Sequence, residues 1–549
     1  MVSWKIGLSF WKTNDFLNRS LYRFIRVKEI FQGRYWRYYW LVIILASAVI
    51  ATSAELWFTR NGAGASGDSV HYMQGASNLL AGNGFSRLKA NGQYIPITGF
   101  PPGFSVALAG LGLAGIPAFD AGRLLNAVLL GLNTALVGWL LYRATRSGPL
   151  AILGCWLFMY ARNIVQIHSW VMSEPLFLFL SLLAIALIDI YLQRGKLALL
   201  ILASLIIAYA SLTRYVGLSL IPAAIVSILW FNPQKLAHKW RDAALAGFIS
   251  LLPVILWFWH NAQVSGNLVN RQMIYHPIST NLIFTLFNEL AYWWFAPSLG
   301  LPWRVRWALM FLFFALGMGV FLYIFYRQKK SPSENRLNPI PVITATFLAF
   351  YIVVLLLNTS FIDASTDEPS IRRYAIPLIA VGVVWTFSSY AQLGQPGRSK
   401  TIFHSFLILL GLGMTLFYAS KSVPFIIHPG FSFGYTDDLH NWTCEVDMLR
   451  AMDANQVTIT NDYEQFYFLA GRPAYTLTGN YDPYLSKYVD DFSSSIEKVK
   501  ELLRNGAVMA ILGDPNQYPN EANALIGDMG LKISSGCSHL RIYALPGNP

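Results

Sequence analysis

An aspartate opens the segment GDSVHYMQGASNLLAGNGF at 67–85. The carboxylate of Asp68 can belong to a site together with other charged groups. It can equally cap the amphipathic helix outlined by Tyr72, Met73, Ala76, Leu79 and Leu80. Gly82 and Gly84 suit the end of that helix. A second carboxylate, Glu174, heads the apolar run SEPLFLFL at 173–180. Arg123, Arg162, Arg214, Arg306, Arg372 and Arg373 stand at the ends of other apolar runs. Guanidinium forks match the oxygens of phosphates and carboxylates. Each arginine alone suits snorkelling to lipid headgroups. The set, with two acids on the same side, argues for a site at a membrane surface. The interior of the apolar runs looks almost free of ionisable residues, which argues against ion-coupled transport.

The runs that must position these groups are membrane spans. The chain has 549 residues, of which 55% are hydrophobic and only 13% charged, with a mean hydropathy of +0.43. Soluble domains carry about 25% charged residues. Apolar runs of about 18 residues or more read as helices crossing a bilayer. Window hydropathy predicts eleven, near 39–58, 121–142, 149–166, 174–192, 197–213, 216–231, 243–261, 305–326, 341–358, 374–391 and 401–419. The 18 Trp and 28 Tyr suit the two interfaces.

With the N-terminus inside, every predicted inner loop is basic. Arg143, Arg146, Arg194, Lys196, Lys235, Lys239, Arg241, Arg327, Lys329, Lys330, Arg336, Arg398 and Lys400 all fall there. This use of basic residues explains most of the net charge of +13, so no nucleic-acid partner is needed. The first outer loop is then 60–102, and everything after 420 lies outside. The stretch GFSVALAGLGLAGIPAF at 103–119 is short and would invert the pattern if it crossed; it reads as re-entrant or interfacial. Residues 1–38 form a basic cytoplasmic segment. There Phe16, Leu17, Leu21, Phe24, Ile25 and Phe31 share a helical face suited to an anionic inner surface, and a plain basic tail is the alternative.

Residues 39–420 thus form the membrane domain. From 425 to 549 the pattern changes to a small extracytoplasmic α/β domain, with strands at 456–460, 507–512, 531–534 and 540–544 among helices. Cys444 and Cys537 lie in it and can pair if it is outside the cytoplasm; Cys155 lies in an apolar run.

These segments resemble the GT-C superfamily of membrane glycosyltransferases, which includes protein O-mannosyltransferases and the lipid A aminoarabinose transferase. The resemblance rests on Asp68, Tyr72, NLLAGNGF and PPGF in the first outer loop, then SEPLFLFL, SLTRYVGL at 211–218, LWFWHNAQVSGNLVNRQMIYHP at 256–277 and RRYAIPL at 372–378. It implies a polytopic α-helical bundle in the plasma (inner) membrane with an outward-facing site. The donor would be a polyprenyl-phosphate-linked sugar, and the acceptor a glycan, lipid or protein hydroxyl. Asp68 maps to the family's catalytic acid and Glu174 to its second acid. Inverting transfer needs one base for the acceptor hydroxyl and cations for the leaving phosphate. Arg214, Arg271 and Arg373 are the candidates for that phosphate. Tyr72, His71, His276 and Arg372 are further site candidates. Several family branches carry a second acid directly after the first, where this chain has Ser69. No cofactor is therefore assigned, although a divalent metal held by carboxylates can share the task. The alternative is a transporter or flippase of a lipid-linked glycan.

Overall fold

The computed structural model describes residues 34–547, apart from 270–272, 296–299, 331–337, 363–367, 392–397, 428–432, 478, 483–486, 490 and 515–517. The expected N-terminal interfacial helix lies outside the described residues.

Apolar runs become helices because the backbone must satisfy its own polar groups where no water is available. The membrane part begins with α1 (Arg34–Phe58) and the loop helix α2 (Gly67–Leu80), followed by a small antiparallel hairpin, β1 (Ser86–Leu88) and β2 (Tyr94–Pro96). Then come α3 (Gly103–Gly112), α4 (Ala118–Thr145), α5 (Gly148–Tyr160), α6 (Arg162–His168), α7 (Glu174–Arg194) and α8 (Leu197–Thr213). A 3-10 turn (Tyr215–Ser219) leads into α9 (Leu220–Phe231) and α10 (Leu236–Ser265). The part closes with α11 (Thr280–Trp294), α12 (Trp303–Lys330), α13 (Ile340–Phe361), α14 (Glu368–Tyr390) and α15 (Arg398–Ile427).

Every predicted span falls on these helical elements. Among the described residues, six helical stretches are long and apolar enough to cross a membrane, and α5 with α6 makes a seventh if that pair, bent by 61°, is one span. This is a multi-pass membrane protein. The stretch at 103–119 forms the ten-residue α3, about 15 Å long at 1.5 Å per residue. That is half the thickness of a hydrocarbon core of about 30 Å. Phe104 and Leu108 bury it against α2 and α4. The amphipathic α11 was not foreseen; it buries Leu286, Leu290 and Trp293 against the bundle.

Packing is centred on α7, which is enclosed on nearly all sides, with Leu178, Leu182 and Ile185 fully buried. It contacts α4 and α8, and α4 in turn packs on α1 and α5. By contrast α10 exposes Phe248, Ile255 and Trp259, as a helix facing lipid must.

The expectation of an interior almost free of ionisable groups needs correction. Asp189 and Asp242 are buried in α7 and α10, and Glu55 in α1. Asp189 is held by Arg143 and Gln193. Asp242 is held by Tyr191, Asn232 and Arg241. Neither carboxyl oxygen of Glu55 has a hydrogen-bond partner among the described residues. Single acids vanish in a hydropathy average, and their partners come from other helices or from loops.

The C-terminal part contains α16 (Tyr435–Asn441), α17 (Thr443–Ala451), β3 (Thr458–Thr460), α18 (Tyr463–Ala470), β4 (Tyr475–Thr476), β5 (Tyr481–Asp482) and β6 (Lys487–Tyr488). It ends with α19 (Phe492–Arg504), β7 (Val508–Leu512), α20 (Asn520–Met529), β8 (Lys532–Gly536) and β9 (Leu540–Ala544). Five strands form one sheet in the order β4-β3-β7-β9-β8. β3 runs parallel to β4 and β7, while β9 runs antiparallel to β7 and β8. Val508, Ala510 and Leu512 face one side of the sheet core, and Met509 and Ile511 the other.

Cys444 and Cys537 are joined across 93 residues, tying α17 to the end of β8. A loop that long makes the bond worth about 2–4 kcal/mol. Reduction of the full-length protein is expected to make residues 435–547 susceptible to proteolysis at a lower temperature, with the helical bundle still intact. Equal cleavage with and without reductant would count against a stabilising role.

Candidate active site

The loop carrying Asp68 is held by backbone pairing with two distant segments. Gly64 N–H donates to Ser169 O at 2.8 Å, and Val171 N–H donates to Gly64 O at 2.9 Å. Ala65 N–H donates to Phe433 O at 3.2 Å, and Tyr435 N–H donates to Ala65 O at 2.9 Å. The approach is close enough to need glycine twice. A Cβ on Gly64 would lie 2.8 Å from the Trp170 ring, and Gly434 adopts φ +62°, where a side chain would strain.

Helix α2 starts just beyond this crossing. Its cap residue is Ser66, whose N–H donates to Ser69 Oγ at 3.0 Å. Ser69, which stands where some GT-C members carry a second acid, is thus buried in a capping role. Asp68 is not the cap, and its carboxylate is turned elsewhere. Arg373 Nη2 donates to Asp68 Oδ2 at 2.8 Å, and Arg373 Nε donates to Glu174 Oε1. Arg214 Nη1 reaches the same Glu174 oxygen at 2.7 Å and donates to Ser173 Oγ at 3.2 Å.

Four charges thus converge from four elements: α2, the head of α7, the extended break after α8, and α14. The two carboxylates and two guanidinium groups cancel one another. Glu174 is almost wholly buried, whereas the Asp68 side chain keeps 31% of its exposure. Burial alone would push the Asp68 carboxyl up, but the Arg373 and Arg214 charges hold it below the ordinary carboxylate range. Oδ1 of Asp68 makes no hydrogen bond among the described residues, so that edge is open.

Asp68 lies in the wall of a cavity of about 830 Å³. Asp68, His71, Tyr72, Arg214 and Arg373 line its floor, with Phe100 and Pro101 of the same loop beside them. Tyr72 is locked in place. Its hydroxyl pairs with Ser173 Oγ at 3.0 Å, and its ring meets Phe100 and Phe104 edge to face.

The roof comes from the C-terminal part, which sequence reasoning left without a site. Tyr435, Asp462, Tyr463 and Glu464 reach the cavity. Asp462 caps α18 by accepting from Gln465 N–H at 2.8 Å, and Glu464 pairs with His71 Nε2 at 3.1 Å. Burial would raise the Glu464 carboxyl, but the His71 contact brings it below its ordinary value. Burial, together with the neighbouring Glu464 charge, outweighs the hydrogen bonds to Asp462 and raises its carboxyl. The signal in the sequence was the run NDYEQFYFLAGRPAY at 461–475, which resembles a block that follows such membrane cores and fits either a part that recognises an acceptor or shields the site, or a plain scaffold.

The other candidates do not join this site. Arg372 points to Glu289, with Nε donating to Oε1 at 3.0 Å. His276 lies outside the cavity wall, and its backbone N–H donates to Ser360 O at 2.7 Å. Arg271 lies outside the described residues. Among the described residues no three His, Cys, Asp or Glu side chains converge to hold a metal ion. A divalent cation between Asp68 and Glu174 would have to displace guanidinium groups from both. The residues present do not fit one.

Glu174 is the keystone of the charge cluster. Glu174→Gln leaves Arg214 without its carboxylate and Arg373 with Asp68 alone, and removal of one partner from a buried pair costs about 3–5 kcal/mol. The expected result is a clear drop in the melting temperature of the detergent-solubilised protein. An unchanged melting temperature would mean the cluster is hydrated enough to do without it.

No family model and no curated protein sequence matches the chain. Solved structures do. ArnT from Cupriavidus metallidurans bound to undecaprenyl phosphate aligns with a TM-score of 0.54 at 12% identity, over 92% of this chain and 97% of that one. Its apo state gives 0.55 at 12% identity over the same shares. The arabinofuranosyltransferase AftD from Mycobacteria gives 0.52 at 12% identity over 94% of this chain, which spans only 40% of AftD. Resemblance at this identity speaks for the fold alone, and this chain shares its fold with ArnT and with part of AftD.

Proposed function

We propose that the protein is an inverting glycosyltransferase. It moves a sugar from a polyprenyl-phosphate donor to an acceptor hydroxyl at the outer face of the plasma (inner) membrane, with Asp68 as general base. The observation that carries this reading is the open edge of Asp68 above an arginine pair on the floor of a large cavity. The likeness to a structure bound to undecaprenyl phosphate supports the donor class.

The chemistry follows from the charges. The donor phosphate enters against Arg214 and Arg373, whose forks suit its oxygens. Asp68 Oδ1 takes the proton of the acceptor hydroxyl. The acceptor oxygen forms a bond to the anomeric carbon as the bond from that carbon to the phosphate oxygen breaks. The electron pair leaves with the polyprenyl phosphate, whose growing charge the two arginines neutralise.

Asp68 and the phosphate compete for Arg373. In the free protein Arg373 keeps Asp68 a weak base. A bound phosphate draws Arg373 away and adds negative charge, so Asp68 becomes more basic when the donor is in place. Burial of both sugar and phosphate from water strengthens this exchange.

Asp68→Asn is expected to lower turnover by about 10²–10⁴-fold in proteoliposomes while retaining binding of undecaprenyl phosphate. Arg214→Gln is expected to weaken that binding by about tenfold or more, as loss of a charge-assisted bond implies. Full activity in both variants would remove the assignment. The pH profiles should also separate. Protonation of Asp68 inactivates the base, so activity falls as pH falls through its pKa. The acid limb of kcat/KM, which reports the free protein, should lie below the ordinary aspartate value of about 3.9. The limb of kcat should lie higher. Coincident limbs would rule out the exchange of Arg373.

A further inference from the structure

A second, smaller cavity of about 230 Å³ opens beside the first, between the β1–β2 hairpin and the C-terminal part. The two share Tyr463 and Thr476 in their walls. Their electrostatics are opposite. The roof of the large cavity carries Asp462 and Glu464, whereas the small cavity is ringed by Arg87, Lys89 and Lys498 with no acid in its lining.

The three cations come from separate places: Arg87 is half-buried, and Lys89 and Lys498 stand exposed at the rim of the cavity. Arg87 lies on β1, with its guanidinium 6.0 Å from the centre of the Tyr463 ring. Lys89 begins the hairpin turn, where its N–H donates to Gln93 O at 2.8 Å and its carbonyl accepts from Gly92 N–H at 2.9 Å. Lys498 projects from α19. Arg87 feels the charge of Glu464 across Tyr463. Among the described residues none of the three forms an ion pair within 4.0 Å. Like charges brought together without acids repel, and a bound anion relieves that repulsion.

We propose that this cavity seats an anionic group of the acceptor, a phosphoryl or carboxylate substituent on a sugar whose hydroxyl points past Tyr463 toward Asp68. The inference rests on the transferase reading and deepens it by naming the acceptor as an acidic glycan. The basic cavity beyond Tyr463 receives its anionic group. The division sorts two negatively charged substrates into two orientations, with the donor phosphate on Arg214 and Arg373 and the acceptor anion on Lys89, Lys498 and Arg87.

The test uses the full-length protein in nanodiscs, with a trifluoromethyl tag on Ala90→Cys in the wall of the small cavity. Glucose 1-phosphate is titrated against the fluorine signal. Methyl glucoside serves as the neutral control and inorganic phosphate as the free-anion control. The expected result is a saturable shift with glucose 1-phosphate, none with methyl glucoside, and a midpoint at least about tenfold higher in K89Q/K498Q. The shift should also weaken with added salt. An equal midpoint in K89Q/K498Q, or an equal response to methyl glucoside, overturns the proposal. A response to inorganic phosphate as strong as that to glucose 1-phosphate assigns the cavity to free phosphate and also overturns it. Asp68→Asn keeps the fluorine response if the cavity is as proposed, whatever its activity. Failure of the transferase reading therefore shows as retained turnover in Asp68→Asn, and failure of the anion cavity shows as an unchanged midpoint in K89Q/K498Q.

Discussion

A guanidinium group removed from water must find a carboxylate, and here two of them share a single oxygen of Glu174. The rest of the site follows from that shared atom. It draws together the head of α7, the break after α8 and one face of α14. Arg373 then has a second fork edge to spare, which reaches Asp68. The cluster is neutral as a whole but uneven in solvation. Glu174 is sealed in, while Asp68 looks into the cavity. A neutral, partly wet cluster can accept a phosphate by rearranging pairs it already has, without creating a naked charge.

The cavity above is a joint product of two parts of the chain. The floor and the stiff Phe100–Pro101 wall belong to the membrane part, and the acidic roof belongs to α18. The His71–Glu464 contact, 393 residues apart in sequence, bridges the two. Such a contact is partly exposed and modest in energy. Its place matters more than its strength, because it lies one helical turn beyond Asp68 and ties the base-bearing helix to the roof.

Much of the fold was legible because it rests on local rules. Apolar runs gave the long helices, and the interleaving of strand and helix segments gave the C-terminal part with β3, β7, β8 and β9. The floor was legible for a different reason. Glu174, Arg214 and Arg373 stand at the ends of apolar runs, where a charge is conspicuous against its neighbours, and Asp68 heads the amphipathic segment of the first outer loop. The roof was not legible. Asp462 and Glu464 lie in a polar stretch among many other acids, and nothing local distinguishes a cavity wall from a solvated helix start. Arg372 and Arg373 show the limit of such reading. Adjacent in sequence, they leave α14 about 100° apart, and only one enters the cluster. The buried acids of α1, α7 and α10 were missed because an average over a window hides a single charge.

The crossing at Gly64 and Ala65 has a consequence for how the protein is made. Those two residues leave the ribosome early, the Trp170 segment later, and the Gly434 segment only after the last membrane helix. Until residues 433–435 exist, Ala65 has no strand partner, and the start of α2 has nothing to rest on along that edge. Asp68 therefore reaches its place among the four charges late in biogenesis. A chain stalled within the bundle would carry all four charged residues of the floor only if it had passed residue 373, and even then it would lack both roof and brace.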